Sequence, residues 1–207
     1  MKPDLTGTFQ GRTVSKSKED KELIDRFLRG EEEAFDGLVI KYKGMVFTVC
    51  YRMLADRQEA LDVSQDVFVK LYTVLKDFRF ESSFSTYLYR ITMNFCKNRL
   101  KALSRRHKHE AFSIDVPLVT PEGHINREFE SSAPGPRQIA RKNEQQEYIQ
   151  QALAKLPADY RQIIVLREIE GLRYEEIAVI LDIDIGTVKS RLSRGRSKLR
   201  ELLKGVL

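Results

Sequence analysis

The chain contains no tryptophan, and only two of its 207 residues are cysteines, Cys50 and Cys96. The two cysteines lie far apart in sequence and lack the spacing of a zinc site, so they predict buried or incidental thiols in a reducing compartment. The three histidines, His107, His109 and His124, lie in or beside a polar stretch without a cysteine nearby. We therefore assign no metal site and no cofactor.

Long hydrophobic runs are also missing. No stretch approaches the roughly 18 apolar residues of a membrane-spanning helix, and the N-terminus lacks the apolar core of a secretory signal. These absences predict a cytoplasmic protein. The chain has 36 Lys and Arg against 30 Asp and Glu, a net charge of +6. A basic protein of this kind favours a polyanionic partner, although charge alone does not separate DNA from RNA or an anionic membrane.

The distribution of proline divides the chain into segments. Residues 19–110 contain no proline, whereas residues 111–137 contain four of the six prolines. The polar residues 1–18 predict a disordered arm, and the segment 111–137 is too long for a loop inside a compact domain. Because residues 19–110 and 138–207 are helix-compatible, we predict an all-α fold of two small helical domains joined by a flexible linker.

Two amphipathic segments around a short turn predict a helix-turn-helix near the C-terminus. The first is residues 174–181, and the connecting turn ends at Gly186. The second repeats apolar or small residues at steps of three and four from Val188 to Leu203. Residues 186–204 hold seven Lys or Arg against one acid. Such a helix is suited to lie against phosphate. The alternative, a solvated basic helix, is disfavoured by the helix and turn that precede it.

One face of this second helix is predicted to approach DNA. At 100° per residue, the side opposite the apolar stripe presents glycine, serine and arginine, flanked by longer cations. Small hydroxyls allow close approach to a groove, and the cations can reach base edges or phosphates. The residues on this side are Gly186, Lys189, Ser190, Arg191, Ser193, Arg194, Arg196 and Ser197.

The predicted helix over residues 56–75 leaves an acidic surface outside its inward apolar stripe, which consists of Leu61, Phe68, Leu71, Tyr72 and Leu75, widened by Val63, Val67 and Val74. We call it the acidic patch, and it consists of Asp62, Gln65, Asp66 and Val69. On an otherwise basic protein, acids beside an exposed valine suit docking to a basic protein surface. Simple solubility explains the same pattern equally well.

An aromatic cluster precedes a polar stripe on the next predicted helix. The aromatics are Phe78, Phe80, Phe84, Tyr87 and Tyr89. The helix is the fourth predicted along the chain, α4, and begins at Phe84. Its polar stripe, the α4 stripe, comprises Arg90, Asn94, Lys97, Asn98 and Lys101. Aromatic rings beside cations and amides hold unstacked single-stranded bases, at about 1–3 kcal/mol for each stacked base. Core packing is the alternative for each ring. A domain that binds single-stranded DNA, tethered to a domain that binds duplex DNA, indicates a protein that helps to open DNA.

At this point the chain resembles the extracytoplasmic-function (ECF) sigma factors of bacterial RNA polymerase, of the sigma-E type. The matching words occur in the family's order and cover both predicted domains: residues 62–72, 84–94, 156–157, 166–178 and 186–191. Two positions depart from the family pattern. Tyr87 stands where the family often has tryptophan, and Asp182 stands where a glycine often occupies the turn.

The resemblance implies a role for each surface. Residues 19–110 would be sigma region 2 and residues 138–207 region 4, with the linker threading the polymerase cleft. The acidic patch would dock on the clamp helices of the β′ subunit, and the β flap would be a further partner. The −10 element would be melted and held by Phe78, Phe80, Tyr87 and the α4 stripe. The −35 element would be read by Lys189, Ser190, Arg191, Ser193, Arg194 and Arg196.

The resemblance also implies promoter DNA as a ligand, no small-molecule substrate, and an anti-sigma protein that would hold the chain inactive at the membrane. The competing interpretation is a helix-turn-helix regulator that acts without being a polymerase subunit. The α4 stripe and its aromatics argue against it, because operator binding needs no single-strand capture. A nucleic-acid enzyme is disfavoured since the sequence has no phosphate-binding glycine loop, metal-ligand constellation or recognisable nucleophile with its base.

Overall fold

The computed structural model describes residues 13–111 and 136–204, which form eight α-helices and no strand. The N-terminal half comprises α1 (Thr13–Leu28), α2 (Glu33–Leu54), α3 (Arg57–Val74), a 3₁₀ turn (Leu75–Asp77) and α4 (Phe84–Ala111). The C-terminal half comprises α5 (Pro136–Lys155), α6 (Ala158–Ile164), a π-helical turn (Val165–Ile169), α7 (Tyr174–Leu181) and α8 (Ile185–Leu203). The all-α prediction is confirmed. Among these helices, none combines the length and hydrophobicity needed to cross a bilayer.

The helix ends revise the predicted segment boundaries. α1 begins at Thr13, so residues 13–18, which we assigned to a disordered arm, are helical. No glycine or proline interrupts the chain between residue 13 and Gly30, where a left-handed φ of +95° follows the end of the helix. The rest of the predicted arm, residues 1–12, and most of the predicted linker, residues 112–135, lie outside the described residues. α5 begins at Pro136, and the fixed φ of proline suits the first helical position.

The core of the N-terminal half lies between α2, α3 and α4. α3 begins at an N-cap, Asp56, whose carboxylate accepts a hydrogen bond from the Glu59 backbone N–H at 2.8 Å. Our predicted inward stripe of α3 was wrong at two positions, because Leu61 is 37% exposed and Tyr72 is 45% exposed. Leu71 is buried as predicted, and the other buried positions carry smaller residues, Ala60, Val63, Ser64 and Val67. Small residues allow α3 to approach its neighbours closely, which turns the two large side chains outward.

The C-terminal half contains the predicted helix-turn-helix, α7 and α8. Asp182 occupies the turn with φ 53° and ψ 54°, a left-handed conformation that a short polar side chain tolerates. Asp184 then caps α8, since its carboxylate accepts a hydrogen bond from the Thr187 N–H at 2.7 Å. α8 packs closely on α6 at Gly195, where an added Cβ would lie 3.2 Å from Ile164 Cγ1. These contacts fix the direction in which α8 presents its outer face.

The two halves also contact each other. α4 packs against α7, and α2 packs against α5, α6 and the π-helical turn. The sequence predicted two domains on a tether and gave no indication of this shared surface.

Candidate nucleic-acid interface

Four of the six predicted duplex-reading residues lie exposed on the outer face of α8, and a fifth, Arg196, is exposed beside them. Lys189, Ser190, Ser193 and Arg194 are all exposed, while Val188, Leu192 and Gly195 are buried beneath them. The exposed and buried residues lie on opposite sides of α8 because its apolar residues recur at steps of three and four. A rigid helix with two small hydroxyl side chains beside an exposed arginine can enter a major groove and contact base edges.

The other two predicted residues already have acidic partners. Arg196 donates from Nε and Nη2 to the same Glu168 oxygen, at 2.9 and 2.6 Å. Arg191 Nη2 lies 3.8 Å from Asp159 Oδ2. Periodicity did not reveal these pairs, because the acids belong to α6 and the π-helical turn. Both arginines would exchange a carboxylate for a phosphate on binding DNA.

The loop over residues 78–83, which we call the aromatic loop, presents one ring to solvent. Phe80 is 41% exposed and has a φ of 57°, a left-handed conformation that is uncommon for a bulky residue and marks functional loops. Its ring centroid lies 4.7 Å from that of Phe78, which in turn lies 4.9 Å from Tyr87. Phe78 is only 9% exposed. We therefore correct its role from direct contact with a strand to support of Phe80 and Tyr87 from below.

All five residues of the α4 stripe are exposed along one side of the helix, as periodicity predicts. At the start of the stripe, the Arg90 guanidinium lies 5.5 Å from the centre of the half-buried Tyr87 ring. A second cation reaches the aromatic loop from α1, where Lys21 Nζ lies 5.9 Å from the centre of the Phe80 ring. The sequence did not indicate Lys21, because α1 and the loop are far apart along the chain. Together these groups form a continuous path of rings, amides and cations.

The acidic patch is exposed on α3, as predicted. Asp62, Gln65 and Asp66 face solvent, and Val69 is 68% exposed. Beside the patch, Arg99 of α4 donates a hydrogen bond to Glu59, which, with the nearby charges of Asp62 and Asp66, raises the pKa of Arg99. The structure thus presents an acidic surface on α3 with an exposed valine at its C-terminal end.

The two cysteines, distant in sequence, meet in the core between α2 and α4. Both are fully buried, and Cys96 donates a hydrogen bond to Cys50 with a sulfur–sulfur distance of 3.7 Å. This bond and burial raise the pKa of the Cys96 thiol. We expect both thiols to resist 5,5′-dithiobis(2-nitrobenzoic acid) in the native chain and to react after unfolding in guanidinium, because the reactive thiolate needs solvent access. Rapid reaction of the native chain would contradict this packing.

Two family models match the chain, one in each half. Sigma-70 region 2 matches residues 38–106, and sigma-70, region 4 matches residues 146–199. The chain is 36% identical over 190 residues to the RNA polymerase sigma-H factor of Pseudomonas aeruginosa, covering 92% of this chain and 96% of that protein. It is 35% identical over 186 residues to the ECF RNA polymerase sigma-E factor of Escherichia coli K12, covering 90% and 95%.

Solved structures show the same fold. CnrH, in complex with the cytosolic domain of CnrY, matches with a TM-score of 0.64 and 24% identity over 91% of this chain and 99% of that one. The sigma factor RpoE of Bartonella quintana, in complex with the anti-sigma factor NepR, matches with a TM-score of 0.62 and 24% identity, covering 84% and 98%. At this identity the likeness concerns the arrangement of the helices.

Proposed function

Since the chain belongs to the extracytoplasmic-function sigma factors of bacterial RNA polymerase, we propose a role in promoter opening for each of its surfaces. It is an alternative sigma factor that directs the polymerase to promoters. In the proposal, the aromatic loop and the α4 stripe open and hold the −10 element, α8 reads the −35 element, and the acidic patch binds the polymerase. The chain acts in the cytoplasm and catalyses no reaction itself.

The aromatic loop supports the −10 assignment most directly. A flipped base needs a π-face to replace its lost stacking, and extrusion costs a few kcal/mol. Phe80 offers an exposed face braced by the buried ring of Phe78. Tyr87 and Arg90 begin a path for the strand backbone, and its downstream cations are Lys97 and Lys101. A structural core would bury all of these rings, so the exposed ring on a strained backbone is the observation that carries the proposal.

The −35 assignment is based on α8. Its exposed residues fit the major groove: Lys189, Ser190, Ser193 and Arg194. Of these, Arg194 can form a bidentate hydrogen bond with the edge of a guanine. Arg191 and Arg196 serve as phosphate contacts once they leave Asp159 and Glu168. The helix cap at Asp184 and the turn at Asp182 hold this face at a fixed angle to α7.

The polymerase would be bound through both halves. The acidic patch would contact the basic clamp helices of the β′ subunit through charge complementarity, and the exposed Val69 would add an apolar contact. The β flap would contact exposed apolar side chains of the C-terminal half, among them Tyr148 and Ile149. An anti-sigma protein, the partner class seen with the Bartonella quintana sigma factor, would compete for these surfaces and could hold the chain at the membrane.

Promoter opening by the reconstituted holoenzyme tests the proposal. The purified chain is mixed with sigma-free core polymerase and genomic DNA of its source, and the transcripts are sequenced. We expect start sites that share two spaced upstream elements, and Phe80→Ala should reduce permanganate-reactive thymines at the −10 element while leaving polymerase binding unchanged. A core that stays inactive, with the chain alone bound to duplex sites, would support a regulator that is not a polymerase subunit.

Removing the Arg194 side chain should weaken recognition of the −35 element. We expect Arg194→Ala to weaken the free energy of promoter binding by about 1–3 kcal/mol, the range for an arginine that contacts a base. Arg200→Ala, an exposed arginine farther along α8, is the matched control and should have a smaller effect. Promoter competition assays with −35 variants measure both, and an unchanged preference in Arg194→Ala would remove this residue from base readout.

A further inference from the structure

A polar cluster ties the start of α1 to α2. Tyr42 Oη donates to Asp20 Oδ2 at 2.7 Å, and both residues are buried. Lys41 Nζ lies 2.8 Å from Asp20 Oδ1 and 2.5 Å from Glu19 Oε2. Burial and the bond to Asp20 raise the pKa of the Tyr42 phenol, so it keeps the proton that it donates. Buried polar networks hold their members rigidly, and these four residues, the α1–α2 cluster, fix the position of α1.

A run of aromatic contacts leads from this cluster to the aromatic loop and back to α1. The Tyr42 ring lies edge-on to that of Phe84, with centroids 5.2 Å apart, and the centroids of Phe84 and Phe78 are 5.9 Å apart. Phe78 packs against Phe80, and Lys21 Nζ of α1 lies 5.9 Å from the centre of the Phe80 ring. Because Lys21 directly follows the cluster along the chain, these contacts form a closed circuit. The backbone of Lys21 is therefore held beside the loop.

The charge of Lys21 is available, unlike that of several neighbouring cations. Arg26 and Arg29, farther along α1, approach Glu31 at 2.7 and 3.6 Å. Lys41 is held by the two carboxylates of the α1–α2 cluster. Among the residues that the structure describes, no carboxylate forms an ion pair with Lys21, whose side chain is exposed. Its ammonium group can therefore move to another anion without breaking such a pair.

The ammonium group of Lys21 lies over the exposed ring on which a flipped base would stack. At 5.9 Å from the ring centre, it is at the outer limit of a cation–π interaction. Stacking of a base on the same ring is stronger than such a contact at an exposed site, so a captured base would displace the ammonium group. The stem of lysine is flexible, and a nucleotide carries a phosphate on either side of its sugar. The displaced cation therefore stays within reach of the strand backbone.

We propose that Lys21 binds a backbone phosphate of the captured −10 strand, after the base that stacks on Phe80 has displaced its ammonium group from the ring. The inference rests on the proposed function of the aromatic loop and adds a residue of α1 to it. Phe80 then binds the base and Lys21 binds the backbone beside it, so that the loop and α1 hold the strand together. In the free protein the same ammonium group shields the exposed ring from water.

Strand binding by the holoenzyme tests this assignment. Core polymerase saturated with the full-length chain is titrated with a fluorescent single-stranded oligonucleotide that carries the −10 element of the mapped start sites, and core alone gives the background. Lys21→Met removes the charge and keeps a long apolar side chain. We expect binding about two- to fivefold weaker at low salt, the range of an exposed ion pair. The slope of log Kd against log salt concentration should fall by about 0.7, the value for one phosphate of a single strand, and Lys21→Arg should restore both quantities.

The matched control is Lys70→Met, the same change at an exposed lysine of α3, which should leave the affinity and the slope unchanged. Replacing one phosphate of the oligonucleotide at a time by a neutral methylphosphonate locates the contact. One replacement should weaken binding of the wild type and have no effect on Lys21→Met, whereas the others should affect both chains equally. Affinity of Lys21→Met equal to or higher than that of the wild type would show that Lys21 only shields Phe80, and would overturn the inference.

The variant Phe80→Ala separates this inference from the proposed function. Weak strand binding by Phe80→Ala, with wild-type affinity in Lys21→Met, would overturn the phosphate contact alone. Wild-type affinity in Phe80→Ala, or no strand binding by the wild-type holoenzyme, would show that the loop does not hold the strand, and both proposals would fail. Because Lys21 is exposed, Lys21→Met should unfold at the temperature of the wild type, which circular dichroism of the free chains measures.

Discussion

Reversing both charges of the acidic patch, Asp62→Lys with Asp66→Lys, should abolish most binding to core polymerase. The two carboxylates are exposed on α3 and cap no helix end, so the free energy of unfolding should change little. Lysines at these positions would face a basic surface, and juxtaposed like charges cost several kcal/mol. We expect affinity to fall roughly a hundredfold, equivalent to about 3 kcal/mol, when binding to labelled core is titrated at low ionic strength.

The control for this reversal is a single charge change elsewhere. Glu201→Lys on α8 and Asp66→Lys change the net charge equally, and Glu201 is exposed and far from the acidic patch in sequence. Glu201→Lys should leave polymerase affinity near that of the wild type, whereas Asp66→Lys should lower it. Normal binding by the double reversal, with its thermal unfolding unchanged, would mean that the acidic patch serves solubility alone.

Filling the contact at Gly195 should uncouple promoter recognition from polymerase binding. The close approach of α8 to α6 leaves no room for a long side chain, since a Cβ alone would lie 3.2 Å from Ile164 Cγ1 and 3.4 Å from Tyr160 Cβ. Overpacking of this kind costs about 1–3 kcal/mol. We expect Gly195→Leu to destabilise the C-terminal half and tilt α8, so that transcription from −35-dependent promoters falls sharply while the acidic patch still binds polymerase.

Two substitutions test whether crowding is the cause. Lys198→Leu places the same side chain at an exposed position of α8 and should leave the melting temperature nearly unchanged. Gly195→Ala should also be nearly neutral, because its gain in helix propensity of about 1 kcal/mol offsets a mild clash. If denaturant unfolding showed Gly195→Leu to be as stable as Lys198→Leu, the α6–α8 contact would be looser than the structure indicates.

The sequence predicted the features that depend on neighbours along the chain. Helical periodicity placed the acidic patch, the α4 stripe and the outer face of α8 on exposed surfaces, and each is exposed in the fold. The resemblance placed Asp182 where the family often has a glycine, and its left-handed backbone agrees with this position, since a short polar side chain tolerates that conformation. Such local features follow from the 3.6-residue period and from backbone sterics, both of which are visible in one sequence.

Contacts between distant segments were not predictable in this way. Phe78 looked as available to DNA as Phe80, and only the packing of four rings shows that one is buried and the other is not. Leu61 and Tyr72 follow the helical period yet are exposed, and Tyr72 packs edge-on against Phe27 and Phe35 at the rim of the core. The pairing of Cys50 with Cys96 and the capping of α2 by Gln150 and Arg161 likewise require tertiary structure.

The ion pairs on α8 have a consequence for how the protein tolerates salt. Each phosphate neutralised by a protein cation normally releases condensed counterions, so affinity for DNA falls with ionic strength by about 0.9 logarithmic units per contact for each tenfold rise in salt. Two of the cations on this helix, Arg191 and Arg196, already hold carboxylates. Their exchange of one anion for another is only weakly sensitive to the ionic medium. When the cell accumulates ions, the affinity of this helix for DNA should therefore fall less than the seven Lys and Arg of residues 186–204 would suggest.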